Sequence, residues 1–232
     1  MEHYHKSLTI KERVGDVYGQ GVLAVNIGEI HRIRGQLEQA ITFYRRSLQV
    51  WEELGVTYGK GLIHNNLGAV YLRMGDLKQA IRALDQSEDL FAQIPSEDFV
   101  AETSRYRAEI ALRQGQLAPA MEFAARSLKY AQEQGLKADE CATRRVLGEI
   151  YREQGNLERS QTYLSQSLEM ARALDNRYEL GRTMLQIGLL RQEQGRLDEA
   201  RASLLQAREI FEELEASLDL AEVEHGLAGL AV

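Results

Sequence analysis

Apolar residues along this chain recur at steps of three and four. Over 37–54 the series Leu37, Ala40, Ile41, Tyr44, Leu48, Trp51 and Leu54 lays one stripe along a helix. Upstream, a helix over 17–34 presents Leu23, Ile27, Ile30 and His31 on its packing side. Gly35, between the two, suits the left-handed residue that closes a helix. The pattern then starts again 40 residues later. Gly35, Gly75, Gly115, Gly155 and Gly195 keep that step, as do Leu37, Leu77, Leu117, Leu157 and Leu197. Ala40, Ala80, Ala120 and Ala200 follow it, with Ser160 as the small substitute. Ser47, Ser87, Ser127 and Ser167 keep it too, and Ala108 fills the gap in the series Gly28, Gly68, Gly148 and Gly188. Each unit is therefore a helix A, a tight turn and a helix B.

The period predicts one all-α domain. Full repeats lie at 17–56, 57–96, 97–136, 137–176 and 177–216, with a lone helix B at 1–16 and a lone helix A at 217–232. Tyr4, Ser7, Leu8 and Gly15 align with Tyr44, Ser47, Leu48 and Gly55, which marks the first half-repeat. The apolar tail Gly226-Leu227-Ala228-Gly229-Leu230-Ala231-Val232 is no polar cap. It reads as a cut from a longer protein or, second, as an end that meets another subunit. Asp76 and Asn156 are expected N-caps, whereas Gln36, Gln116 and Arg196 are poorer ones. Gly15, Gly55 and Gly135 end helix B, Pro95 takes that place once, and Pro119 falls in a first turn, where its missing N–H does little harm. Gly28 and Ala40 sit where helices A and B approach closely, with large partners such as Tyr44, Leu84, Leu164 and Leu204 around them. Arg107 takes a column held elsewhere by Ile27, Leu67, Leu147 and Ile187; with Ala108 and Ala111 beside it, helix A of the third repeat is expected to pack least.

Composition supports helices: apolar residues make up 44% and there are 2 prolines. A formal charge of −7, with Arg and Glu interspersed, argues against non-specific binding to nucleic acid or to anionic membrane. Cys141 has no cysteine to pair with, which fits a reducing, cytoplasmic setting. No apolar run approaches a membrane span, and the start lacks the apolar stretch of a signal peptide.

The run Leu67-Gly68-Ala69-Val70-Tyr71, followed by Gly75-Asp76-Leu77 and Ala80, resembles the tetratricopeptide repeat signature. The 40-residue unit is similar to the variant of kinesin light chains, Pins-type adaptors and MalT-type bacterial regulators. That resemblance implies a right-handed superhelical α-solenoid of antiparallel helix pairs, five full repeats flanked by half-repeats. It also implies a concave face made by helix A residues that point away from the A–B core. On those columns the first two repeats place Val22, Val25, Ile33, Leu62 and Leu72, apolar residues that would face solvent in an empty superhelix, with Asn65 and Arg73 beside them. Such clusters often mark binding sites. Further along come Arg105, Arg113, Arg145, Arg152 and Arg182 among glutamates. These columns imply a guest peptide or helix with an apolar segment and an acidic one. The other reading of the arginines is that Arg105–Glu109 and Arg145–Glu149 are i,i+4 surface ion pairs. Asn26 and Asn66 resemble a clamp on the backbone of an extended peptide. Tyr106, Val146 and Gln186 interrupt that ladder, and both asparagines could equally bridge helices.

Catalytic and metal chemistry has no foothold. Gly19-Gln20-Gly21 and Gly59-Lys60-Gly61 lack the length and preceding strand of a phosphate loop. The histidines have no metal-ligand spacing with Cys141, and the serine column repeats without a base. No cofactor and no enzymatic activity are expected. Three functions remain: a module that binds another protein or peptide, a ligand-sensing arm of a bacterial signalling or transcription-regulating protein, and a structural element that self-associates through its half-repeat ends.

Overall fold

The computed structural model describes residues 2–94 and 99–230. All regular structure among them is helical: α1 (Glu2–Val14), α2 (Val17–Ile33), α3 (Leu37–Glu53), α4 (Thr57–Met74), α5 (Leu77–Phe91), α6 (Val100–Arg113), α7 (Leu117–Gln134), α8 (Lys137–Glu153), α9 (Leu157–Ala173), α10 (Arg177–Glu193), α11 (Leu197–Glu213) and α12 (Ser217–Ala228). The helices form two compact units, Met1–Phe99 and Val100–Val232. In the first, α2 pairs with α3 and α4 with α5, while α1 packs on α2 and α3 on α4. In the second, α6, α8 and α10 pair with α7, α9 and α11, each of those three packs on the next hairpin, and α6, α8, α10 and α12 also touch in sequence. Each unit is thus a stack of helical hairpins, the build of a solenoid.

The turns follow the glycine period. Gly35, Gly75, Gly115, Gly155 and Gly195, with Gly15, Gly55 and Gly135, all adopt positive φ. The same 20-residue step puts two non-glycine residues, Asp175 (φ 49) and Glu215 (φ 55), in the left-handed region, which glycine spacing alone did not reveal. Asp76 and Asn156 cap α5 and α9 by accepting from the N–H groups of Gln79 and Arg159 at 3.0 and 3.1 Å. Gln36, Gln116 and Arg196 make no such bond, whereas Asp16 and Asn176 do. The expected stop at Pro95 lies outside the described residues.

Close approach of each A–B pair rests on the missing side chain of one column. A Cβ on Gly28 would lie 2.6 Å from Tyr44; on Gly68, 2.5 Å from Leu84; on Gly148, 2.6 Å from Leu164; on Gly188, 2.7 Å from Leu204. In the third repeat the column holds Ala108, and the position facing it in the period is Ala124 instead of a large residue; both are fully buried in one cluster with Ala111, Ala120, Val146, Leu147 and Ile150. The smaller residue on helix B leaves room for the methyl gained on helix A. The alanines of α6 are small where the two helices lie close, and Arg107 beside them is only half-buried.

The serine column does more than fill space. Ser47, Ser87 and Ser127 donate to the carbonyls of Gly21, Gly61 and Ala101 at 2.7–2.9 Å, and Ser167 to that of Cys141 at 3.0 Å. Ser127 and Ser167 also bond Thr143 and Thr183 of the next hairpin at 2.7 and 2.9 Å. A buried hydroxyl so paired fixes the axial register of helix B on helix A, because slipping would leave it unsatisfied.

Gly148→Ala should destabilise the second unit by about 1–3 kcal/mol through overpacking, and Leu164→Ala by about 2–5 kcal/mol through the cavity it leaves. The double variant copies the native Ala108/Ala124 pair and should recover about 0.5–3 kcal/mol of the sum. Urea denaturation of the four proteins measures that coupling; strict additivity would show that the columns do not meet.

Candidate partner-binding site

In the first unit, Tyr18, Val22, Val25 and Asn26 of α2 face Trp51 of α3 and Val56, Tyr58, Gly59 and Leu62 at the start of α4 across a cleft of about 190 Å³. Its floor is Trp51, 4% exposed. The indole fits because two glycines flank it: a Cβ on Gly21 would reach it at 2.9 Å and one on Gly59 at 2.6 Å. Tyr18 stands edge-on to the indole at 5.0 Å, a favourable aromatic geometry. Tyr58 leans on Phe91 and Phe99 in the same unit at 5.8 and 5.6 Å. The walls stay open to solvent: Tyr18 is 60% exposed, Tyr58 41% and Val22 39%.

Four residues expected at a binding face, Val22, Val25, Asn26 and Leu62, therefore come together. Tyr18, Trp51 and Tyr58 were missed as site residues. Trp51 belongs to a core stripe and is indeed core, and only the glycines at 21 and 59 bring it beside an opening. Two expected residues of the same unit are corrected. Asn65 and Leu72 are buried, at 0% and 2% exposure, and offer no surface to a guest. Asn66 and Arg73 are half-buried and do not line the cleft.

The second unit holds a different arrangement on the same columns. Arg145, wholly buried, donates to Glu149 on its own helix, to Glu179 on α10, and to Glu109 on α6 at 3.3 Å. Arg105 donates to Glu109 at 2.9 Å, lies 3.5 Å from Glu102, and stacks over the Tyr106 ring at 4.1 Å. Arg182 comes within 3.9 Å of Glu109. Three successive A helices are thus joined by charge through their centre.

Each group responds to this crowding. Burial pushes the Glu109 carboxyl up, but Arg182, Arg145 and Arg105 outweigh it and hold the group well below the usual range. Glu179 is likewise lowered: burial opposes, and Arg145 leads the pull downward. Glu149 goes the other way, because burial, helped by Glu109, exceeds what Arg145 and Arg182 restore. Burial opposes charge on Arg105 and Arg145 as well, yet both are raised, by Tyr106 and Glu109 for the first and by Glu179 and Glu149 for the second.

The expected i,i+4 pairs Arg105–Glu109 and Arg145–Glu149 form, but in the interior. The two arginines are not free cations facing a guest, because carboxylates already neutralise them. Stacking the period shows why: Arg105 and Arg145 share one column, Glu109 and Glu149 the next, and neighbouring hairpins bring those columns side by side. Arg152 pairs with Glu193 and, at 2.8 Å, with Glu153, while Arg113 is exposed.

Arg145→Met should cost about 3–5 kcal/mol at about pH 7.5, because it strands buried carboxylates. In the wild type, the lowered Glu109 and Glu179 contribute stability that is present above the ordinary carboxylate range near 4.3 and is lost as pH falls through their folded values; the raised Glu149 acts in the opposite sense. Without Arg145 the remaining carboxylates bind protons more tightly when folded, so the penalty should shrink towards about pH 5. Urea melts of both proteins across that range check the sign, and a pH-independent penalty would refute the assignment.

Stacked hairpins of 40 residues, closed by left-handed turns, define a tetratricopeptide array. The chain belongs to the MalT-like TPR region family, whose model matches residues 56–225, and a tetratricopeptide repeat model matches residues 23–54. No curated protein matches the sequence. Among solved structures, the fold is similar to a Rap protein complexed with competence and sporulation factor (16% identity, TM-score 0.68, covering 94% of this chain and 70% of that one). It is also similar to BtubC from P. vanneervenii (18%, 0.60, 87% and 82%). A third is the signal transduction ATPase with numerous domains from Pyrococcus horikoshii that has a tetratricopeptide repeat sensor (17%, 0.64, 96% and 34%). The chain thus spans about a third of that last protein. Among the described residues no helix is long and apolar enough to cross a membrane.

Proposed function

We propose that this chain binds another polypeptide, and that the cleft of the first unit receives one large apolar side chain of that partner. The observation that carries the reading is the cleft: exposed Tyr18, Val22 and Tyr58 around a buried indole. Its volume of about 190 Å³ is below the roughly 300–1,000 Å³ of small-molecule pockets and suits a single anchoring side chain. Asn26, exposed at the rim, offers both a donor and an acceptor to the backbone of the bound segment. The groups gathered here bind and orient; none is poised to activate a bond. The guest is apolar at this point, and it gains nothing from acidic residues against Arg105 and Arg145, which already have partners. The Rap protein of similar fold is held in complex with a factor, which supports binding as the use of such an array.

A second reading has its own support. Membership of the MalT-like family, together with likeness to an ATPase that has a repeat sensor, favours a sensing arm within a signalling protein. In that reading the bound segment biases the stacking of the hairpins.

Selection of peptides from a random display library on the full chain should yield sequences that share a Leu, Ile, Phe or Trp anchor. Val22→Asp should weaken them about 10- to 100-fold, the worth of burying one apolar side chain. Leu197→Asp, an equally exposed change on α11, should leave binding unaltered, with helix content checked by circular dichroism in both. If no anchored peptide is selected, or Val22→Asp binds like wild type, the reading fails.

A further inference from the structure

In the second unit the 40-residue period places equivalent positions on the hairpins of α6, α8 and α10, so their residues can be compared. On α8 and α9, Arg144, Tyr151, Arg159, Thr162, Tyr163 and Gln166 line a cleft of about 430 Å³. Arg144 stands in a column that is otherwise small or apolar in this unit, Ser104 and Met184. At the equivalent positions of α10 and α11 the arginine, Arg191, is consumed internally: it bonds Ser203 at 2.6 Å and lies 3.9 Å from the Glu199 carboxylate. In α9 that carboxylate position is Arg159.

The consequence is an excess of positive charge. Arg159 donates to the Tyr151 hydroxyl at 3.2 Å and lies over its ring at 5.4 Å, and no carboxylate among the described residues is within ion-pair distance of it. Arg144 donates to the Gln166 carbonyl oxygen and to Glu140 at 2.7 Å, and its Nε is buried without a partner. Lys137 holds the other oxygen of Glu140 at 2.8 Å. Lys137 and Arg144 thus share the single carboxylate of Glu140 and Arg159 has none, which leaves positive charge in excess among these groups. Tyr151 and Tyr163, stacked at 5.3 Å, wall one side. A phosphate group carries about −1.5 to −2 charge and three strong acceptor oxygens, which matches that excess and the guanidinium and hydroxyl donors present. The volume lies in the range of small-ligand pockets, roughly 300–1,000 Å³, unlike the cleft of the first unit.

We propose that the cleft between α8 and α9 binds a small molecule bearing a phosphate group, with Arg159 and Arg144 as its cationic contacts. This site is separate from the polypeptide cleft and does not rest on it. The test is an amide-resolved NMR titration of the full chain with inorganic phosphate in the millimolar range, ionic strength held constant with chloride. Saturable shifts should centre on α8 and α9 around residues 144 and 159–166. Arg159→Glu should lose at least tenfold in affinity, whereas Arg201→Glu, on the exposed face of α11, should keep it. Acetate should bind more weakly than phosphate. No saturable shift on these helices, equal affinity in Arg159→Glu, or acetate binding as tightly as phosphate would overturn the proposal.

Discussion

One distance governs this protein: the approach of each helix A to its helix B. It is set by Gly28, Gly68, Gly148 and Gly188, where even a methyl group would drive into Tyr44, Leu84, Leu164 or Leu204. A single hairpin cannot bury its apolar stripe alone, so stability comes from stacking, and stacking requires hairpins of equal thickness. The exception obeys the same constraint. Ala108 and Ala124 replace a glycine and a large residue, and the hairpin keeps its place in a continuous core. The serine hydroxyls then fix register along the axis, so spacing and register are set by different groups.

Once the scaffold is uniform, departures from it become informative. Columns that are apolar in one repeat carry charge in another, and each charge is either compensated or left open. Arg145 is compensated from three sides, by Glu109, Glu149 and Glu179. A buried charge set of this kind adds little net stability against an apolar substitute, but breaking one member of it is costly. It joins α6, α8 and α10 through charge. Arg159, by contrast, has no carboxylate within reach among the described residues, and Tyr18, Val22 and Tyr58 have apolar surface left in water. Compensated departures read as structure, and uncompensated ones as sites.

The two units put the same helix A columns to opposite uses. In the first, Val25, of the column that continues as Arg105 and Arg145, lines a cleft over Trp51 with Val22 and Leu62 beside it. In the second, the column of Arg105 and Arg145 meets its own glutamates and closes on itself.

Much of this was legible in the sequence. The 40-residue period, the hairpin unit, the left-handed closures at the glycine column, the caps Asp76 and Asn156, and the small-against-large packing are all local or periodic, and periodicity reports local geometry directly. Val22, Val25, Asn26 and Leu62, which line the cleft, were expected on the face that the family resemblance implies. What the tertiary structure decided is which side chains are covered. Leu72 and Asn65 fall in columns expected at a binding face and are buried; Trp51 belongs to a core stripe and floors a cleft. Glu179 finds Arg145 across 34 residues, a pairing that no i,i+4 rule contains. The physical reason is that burial and charge compensation depend on neighbours brought together by stacking, whereas the period records only the position of each residue within its own hairpin.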